Sequence, residues 1–469
     1  MKGILFSNFS LNNPVIRKKI DSKVAKTLLS LAKRFSKANV IQQMLDVTYI
    51  RTHAEDVKQG MRNKGVETPE LVDKLLETDE AWRSLVKETD DLRNESNTKA
   101  RKIGQLMGQG KKDEAQEIIE HTSKLKEEIK QKEEQLDTLK QQREELLLRV
   151  PNVPHASVPV GHSEEENEVF KTWGTPGEPE KWQRPHWELV EEQGWIDFER
   201  GAKVTGAGFP FYVGPAAKLQ RALINYFLNR AAQEGYTELQ VPYFVNEESA
   251  RGTGQIPDKE DMMYEIPRDE FFAIPTAEVP VTNFRRDEII ELEELPLYYT
   301  AYTPCWRREA GSYGKDVRGL NRLHQFDKVE LVKMVHPDTA YDELESLREY
   351  AESLLEELGI PYRTLLMCTG DMGFTQSKKY DLEVWSPAQE RWLEVSSCSN
   401  FGSFQARRMM LRYRNDEGDT EIVHTLNGSG LALPRVMAAI LEIYQQEDGS
   451  IAVPEVLQPF MGAETIQAG

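Results

Sequence analysis

The chain has 469 residues and a formal net charge of −19, which leaves room for two or three domains and argues against bulk, non-specific binding to nucleic acid or anionic membrane. Its three cysteines (Cys305, Cys368, Cys398) form no CxxC pair, the eight histidines include no HExxH, and no apolar run approaches the ~20 residues of a membrane span. The chain therefore reads as soluble and cytoplasmic, with its cysteines buried as small apolar residues.

Residues 1–43 differ from the rest of the chain, with nine Lys or Arg and one acid, Asp21. They read as a disordered leader or as translation from a start upstream of Met44; the rival reading is a targeting or RNA-binding arm. From Leu71 to Leu106 apolar residues keep to steps of four and three (Leu71, Leu75, Trp82, Leu85, Leu92, Ile103, Leu106). A second run comes at Ile118, Leu125, Ile129, Leu136, Leu139 and Leu146, after the interruption GQGKKDEA. The spacing predicts two helices in an antiparallel coiled coil spanning about 70–149, each roughly 50–60 Å long at ~1.5 Å per residue. Between Ser96 and Lys112 the hairpin tip holds Lys99, Arg101, Lys102, Lys111 and Lys112 and no acid. Phosphate contact explains all five, whereas attraction to a helix C-terminus explains the first three alone.

Prolines from Pro151 to Pro185 mark residues 151–185 as a linker into a second domain, 186–469. There AAKLQRALINYFLNRAAQEGY (216–236) is an amphipathic helix that feeds a strand, TELQVPYFV, expected to end near Pro242. LPLYYTAYTPCWRRE and LHQFDKVELVKMV read as two strands joined by an arginine-rich loop, and YDLEVWSP and RWLEVSSCSNF as a further hairpin. Strands joined directly by loops predict an antiparallel sheet and an α+β class. Neither GxGxxG nor GxxxxGK[ST] occurs on a strand–helix turn, so side chains must supply the positive charge for any phosphorylated ligand. Arginine suits that task through its planar fork and permanent charge. By the period of two, Glu309 shares the face of Arg307 and can accept an exocyclic amine, while Phe326 can cover a base and faces the same side as Glu330.

The stretch WRREAGSYGKDVRGLNRLHQFDKVE (306–330) resembles motif 2 of class II aminoacyl-tRNA synthetases, in the form found in the seryl-tRNA synthetase family. The resemblance runs through nearly the whole chain from Met44. The helix and strand before Pro242 resemble motif 1, the family's dimer interface. IPTAEVPVTN resembles its serine-contacting loop, LEVSSCSNF its acid-plus-serines strand, and TLNGSGLALPR its motif 3.

This resemblance implies a class II antiparallel β-sheet catalytic domain behind an N-terminal helical arm (44–150) that binds tRNA through the five tip residues. It implies an ATP site of Arg307, Arg308, Glu309, Leu323, His324, Gln325, Phe326, Glu394, Val395, Ser396, Ser397 and Arg435. Within it Arg307 holds the α-phosphate, Arg435 the γ-phosphate, Glu309 the adenine amino group, and Glu394 and Ser397 a Mg²⁺. It implies a serine site of Thr276, Ala277, Glu278, Arg307, Glu330, Asn427 and Ser429, with Thr276 and Glu278 on the amino group. The implied activity is a homodimeric serine–tRNA ligase that uses ATP to form seryl adenylate and charges tRNA(Ser), with tRNA(Sec) as a second acceptor. A ligase that charges a carrier protein would lack the arm, and a non-enzymatic RNA-binding paralogue would have lost Arg307, Glu309, Glu394 or Arg435.

Overall fold

A computed structural model of the chain describes residues 47–308 and 318–468, leaving aside the side chain of Glu260. The leader, 1–43, and Glu309 lie outside the described residues.

Two short helices, α1 (Val47–Thr52) and α2 (Ala54–Asn63), precede the arm, whose helices α3 (Leu71–Gly108) and α4 (Lys112–Leu148) run antiparallel about a turn at 109–111. Gly110 takes φ 76° there, a left-handed backbone that suits glycine. The predicted seam forms, with Leu71, Leu75, Leu106 and Leu125 buried and Trp82, Leu85, Leu92, Ile103, Ile129 and Leu136 half-buried. Two helices alone cannot enclose a stripe of large side chains, and the small Thr89, Ser96, Ala115 and Thr122 are buried along it beside the leucines.

The base of the arm is a charged clamp. Buried Asp79 takes Arg143 at 2.8 Å, Arg83 at 2.9 Å and Arg51 at 3.3 Å, and the Arg143 guanidinium lies 5.0 Å from the Trp82 ring centre. Below the clamp, Leu71, Val72, Leu75, Leu147 and Val150 pack with Val47, Ile50, Val57 and Met61 against Phe401 and Phe404 of the second domain. Asn152 donates to the carbonyls of Thr375 (2.9 Å) and Phe401 (2.8 Å), and the Lys64 ammonium donates to those of Gly373 (2.9 Å) and Gln376 (2.7 Å).

The second domain is built on an eight-stranded sheet, here β1 (Glu168–Trp173), β2 (Thr237–Glu238), β3 (Leu297–Trp306), β4 (Gln325–Val335), β5 (Tyr362–Leu366), β6 (Lys378–Ser386), β7 (Arg391–Asn400) and β8 (His424–Ala432). The spatial order is β1-β5-β6-β7-β8-β4-β3-β2, antiparallel throughout except for the β2–β3 pair. The proline-rich segment read as a linker thus also supplies the edge strand β1. Helices α5 (Pro215–Gln233), α6 (Ala340–Glu357) and α7 (Leu433–Ile443) cover one face, burying Leu223, Phe227, Leu347, Leu354, Met437 and Ile440 against Val329, Leu331, Leu382 and Leu426. Alternation along β4 sends Val329 and Leu331 into that core and Phe326, Lys328 and Glu330 to the other face.

The TELQVPYFV segment departs from the expected single strand. Helix α5 ends in a Schellman turn, with Gly235 at φ 85°, Tyr236 N–H bonded to Ala231 O (3.0 Å) and Gly235 N–H to Ala232 O (3.2 Å). That reversal lays β2 parallel to β3 for two residues, and Phe244–Asn246 then joins a separate three-stranded sheet. Pro242 has no N–H to continue a ladder, which separates the two pieces.

Candidate active site

The face of the sheet opposite helices α5, α6 and α7 holds a cleft with two lobes of about 190 and 360 Å³. Arg307, Arg322, Lys328, Glu394, Ser397 and Ser429 line both. Arg307 stands at the end of β3, its Nε donating to Pro275 O (3.3 Å) and its guanidinium 5.0 Å from the Phe326 ring centre. The smaller lobe adds Leu320, Asn321, Leu323, Phe326, Val395 and Arg435. Arg435, in the first turn of α7, is steered by two carbonyls, Asn321 O to Nε (3.1 Å) and Glu394 O to Nη1 (2.6 Å).

Glu394 and Ser397 are three residues apart on β7, so plain alternation would put them on opposite faces. They share the cleft because β7 bulges: Ser396 pairs with Leu382 and Glu394 with Glu383, leaving Val395 as an extra residue. A bulge re-aims side chains in this way. The charges of Lys379, Arg435, Arg307 and Lys328 hold the Glu394 carboxyl below its usual range.

The larger lobe is built on Glu330, whose carboxylate accepts from Thr276 Oγ1 (2.8 Å), Asn427 Nδ2 (3.1 Å) and Lys328 Nζ. Thr276 Oγ1 also accepts the Glu278 N–H (3.2 Å), and Gln405 Nε2 donates to Glu278 Oε1 (2.7 Å). Burial, reinforced by Glu330, pushes the Glu278 carboxyl up to about 7. Lys259 and Lys379 close this lobe. Lys379 lies 2.8 Å from Asp381 and stays protonated, because Asp381 and Glu394 outweigh burial.

Among the described residues the two lobes present six cationic side chains (Arg307, Arg322, Arg435, Lys259, Lys328, Lys379) against three carboxylates (Glu278, Glu330, Glu394). In a chain of net charge −19 this is a local reversal of sign, fit for a polyanion.

Of the residues singled out from sequence, Arg307, Leu323, Phe326, Glu394, Val395, Ser397 and Arg435 meet in the smaller lobe, and Thr276, Glu278, Glu330, Asn427 and Ser429 in the larger. Others point elsewhere. Arg308 is exposed, with its N–H on Met262 O (2.9 Å). His324 Nδ1 meets Tyr264 OH at 2.6 Å and its ring stacks on Phe209, while Gln325 Oε1 accepts from Trp306 Nε1 (3.2 Å). Ser396 Oγ donates to Ser429 O (2.7 Å), and Ala277 is buried in apolar packing. Sequence reasoning passed over Lys328, Lys259 and Lys379, and counted Arg322 in the arginine-rich loop without assigning it a role. Lys328 had a signal, since the period of two from Phe326 to Glu330 runs through it. Lys259 and Lys379 had none.

At the arm's tip Arg101, Lys102 and Lys112 are exposed, whereas Lys99 pairs with Glu95 (2.9 Å) and Lys111 with Glu114 (3.1 Å). Helix α3 runs on to Gly108 with no base in its last turn, so attraction to its C-terminus does not account for Lys99 to Lys102.

Sheet, cleft and arm together have the form of a class II tRNA synthetase, and the comparisons agree. The family model "tRNA synthetase class II core domain (G, H, P, S and T)" matches residues 263–444, and "Seryl-tRNA synthetase N-terminal domain" matches 44–154. The chain is similar to "Serine--tRNA ligase" of Salinibacter ruber, 58% identical over 91% of this chain and 100% of that one. It is similar to "Serine--tRNA ligase" of Geobacter sulfurreducens, 49% identical over 89% and 99%. In structure it resembles the seryl-tRNA synthetase from Pyrococcus horikoshii complexed with ATP, with TM-score 0.85 and 35% identity, covering 91% of this chain and 100% of that one. The chain belongs to the seryl-tRNA synthetase family.

Proposed function

We propose that this protein is a serine–tRNA ligase, which joins L-serine to ATP and passes the seryl group to tRNA. The observation that carries this reading is the cationic smaller lobe opening, across Arg307, into a buried pocket whose carboxylates suit an amino-acid ammonium group. ATP lies in the smaller lobe with its adenine on Phe326, its α-phosphate on Arg307 and its γ-phosphate toward Arg435. Serine lies in the larger lobe, its ammonium on Thr276 and Glu278 and its hydroxyl beside Glu330 and Ser429. Ligands that span both lobes meet at Arg307, so the serine carboxylate attacks the α-phosphorus there and pyrophosphate leaves in line. Fixed guanidinium groups stabilise the charge that develops, and no side-chain nucleophile is required. The ribose hydroxyl at the tRNA 3′ end then attacks the adenylate carbonyl and AMP leaves.

Glu394 and Ser397 are hard oxygen donors on one face of the cleft. They fit a Mg²⁺ that takes its remaining ligands from phosphate and water and neutralises phosphate charge when bound. The arm's exposed bases hold tRNA(Ser), with tRNA(Sec) as a second acceptor. Exposed Phe244 and Phe271, on the small sheet that comes after α5 and β2, support a homodimer. Three free, buried cysteines accord with a reducing cytoplasm, and no helix among the described residues is long and apolar enough to cross a membrane.

The test is ATP–pyrophosphate exchange measured over the twenty amino acids. Serine should support exchange, and Arg307→Ala should reduce it by about 10²–10³-fold with an unchanged thermal midpoint. Exchange driven by another amino acid, or by none, would refute the reading.

A further inference from the structure

A wholly buried polar chain lies behind the smaller lobe and touches none of the groups assigned above to ATP or serine. His186, Glu442 and Ser386 are each 0% exposed. Glu442, on α7, accepts from three donors: His186 Nδ1 (2.7 Å), the His186 backbone N–H (3.2 Å) and Ser386 Oγ on β6. On the far side of the imidazole, Nε2 accepts the Leu320 backbone N–H at 2.9 Å. A backbone N–H can only donate, so Nε2 carries no proton. The ring is therefore the neutral tautomer with its proton on Nδ1, held by Glu442.

Leu320 and Asn321 line the ATP lobe, and Asn321 O is one of the two carbonyls that steer Arg435. The Asn321 side chain is braced in turn by Gln389 Oε1 (2.8 Å). The approach between ring and chain is close. Gly319 has φ 60°, and a Cβ built on it would lie 2.4 Å from His186 Nε2. Any other residue there would push the imidazole off the Leu320 amide.

We infer that His186 is a positioning residue for the ATP lobe: through the Leu320 amide it fixes residues 319–321, and through the Asn321 carbonyl the guanidinium of Arg435. Glu442 orients the ring, and Ser386 holds Glu442. One helix, α7, thereby carries Arg435 at its start and the anchor of its positioning chain at its end. The inference rests on the assignment of the smaller lobe to ATP. It predicts that the chain acts on ATP and leaves serine untouched.

The test compares His186→Asn with His186→Gln. Asparagine keeps a donor for Glu442 but leaves the Leu320 N–H without its acceptor, whereas glutamine can place a carbonyl oxygen near the position of Nε2. In pyrophosphate exchange His186→Asn should raise the KM for ATP about tenfold, the scale of one buried donor left unmade, with the KM for serine unchanged. Hydrogen exchange at the Leu320 amide, read by mass spectrometry, should quicken in the same variant. His186→Gln should restore both.

An unchanged ATP KM and unchanged Leu320 exchange in His186→Asn would overturn the inference. So would equal rises in the KM for ATP and for serine, which would mark a general loosening. If His186→Asn does not fold, Ser386→Ala decides on the same readouts, with a rise in ATP KM of about threefold expected and none contradicting. Failure of the intact protein to show serine-dependent exchange would count against the proposed function instead, and the Leu320 amide would still report the contact.

Discussion

Along the arm above the Asp79 clamp, charged side chains lie outside a two-helix seam in exposed pairs, such as Arg93 with Glu133 at 2.7 Å and Lys132 with Glu88 at 2.9 Å. In the cleft, Glu278, Glu330 and Lys328 are buried together, and each has a like or opposite charge for a neighbour. The energetics differ accordingly. An exposed pair contributes roughly 0–1 kcal/mol and is screened by salt, whereas burying charge costs several kcal/mol unless every group is satisfied. The arm is stable in proportion to its seam and can be altered piecemeal. The cleft is maintained against its own electrostatics by the packed sheet beneath it, as expected of a site kept ready for charged ligands.

Glu278 gives the sharpest form of this contrast. Its carboxyl sits at about 7 in the fold against 4.5 for the free side chain, chiefly through burial. Between those values the folded chain binds more protons than the unfolded one, so stability falls as pH rises through that window. Above it the ionised carboxylate costs roughly 3 kcal/mol. Glu278→Gln should therefore melt at a higher temperature than the natural chain at pH 8, with the gap closing by pH 4.5. The same change should raise the KM for serine about 100-fold, since the ammonium loses its counter-charge. A melting difference that does not vary with pH would show that Glu278 is not held in this way.

At the arm's tip the expected effects are smaller. Replacing Arg101, Lys102 and Lys112 by Gln should raise the KM for tRNA about tenfold and flatten the log–log salt dependence by up to about 3, with serine activation unchanged. Replacing Lys99 and Lys111, which already pair with Glu95 and Glu114, should do less. Equal effects from the two sets would mean that those ion pairs give way when RNA binds.

The two regions also differ in how far they could be read in advance. Heptad spacing located both arm helices because a seam needs little beyond its period. In the second domain alternation placed Phe326 and Glu330 on one face, and the antiparallel class came from strands joined by loops. The Val395 bulge had no such signal, since an extra residue in a ladder is set by the register with β6 across the hairpin and not by the strand's own alternation. Without it Glu394 and Ser397 face apart. The parallel β2 was hidden behind the Schellman turn at Gly235, and the edge strand β1 behind the prolines that flank it. His186 lies more than 130 residues from Leu320, and no local pattern joins them.

The central claim is a division of labour, with activation complete in the cleft and tRNA capture dependent on the arm. Replacing residues 84–138 by a short glycine-rich turn keeps the Asp79 clamp and the packing below it. Serine-dependent pyrophosphate exchange and tRNA charging are then measured on the same shortened protein. Exchange should stay within about twofold of the intact chain while charging falls by about 100-fold or more. Charging at the intact rate, or loss of exchange alongside charging, would contradict the claim.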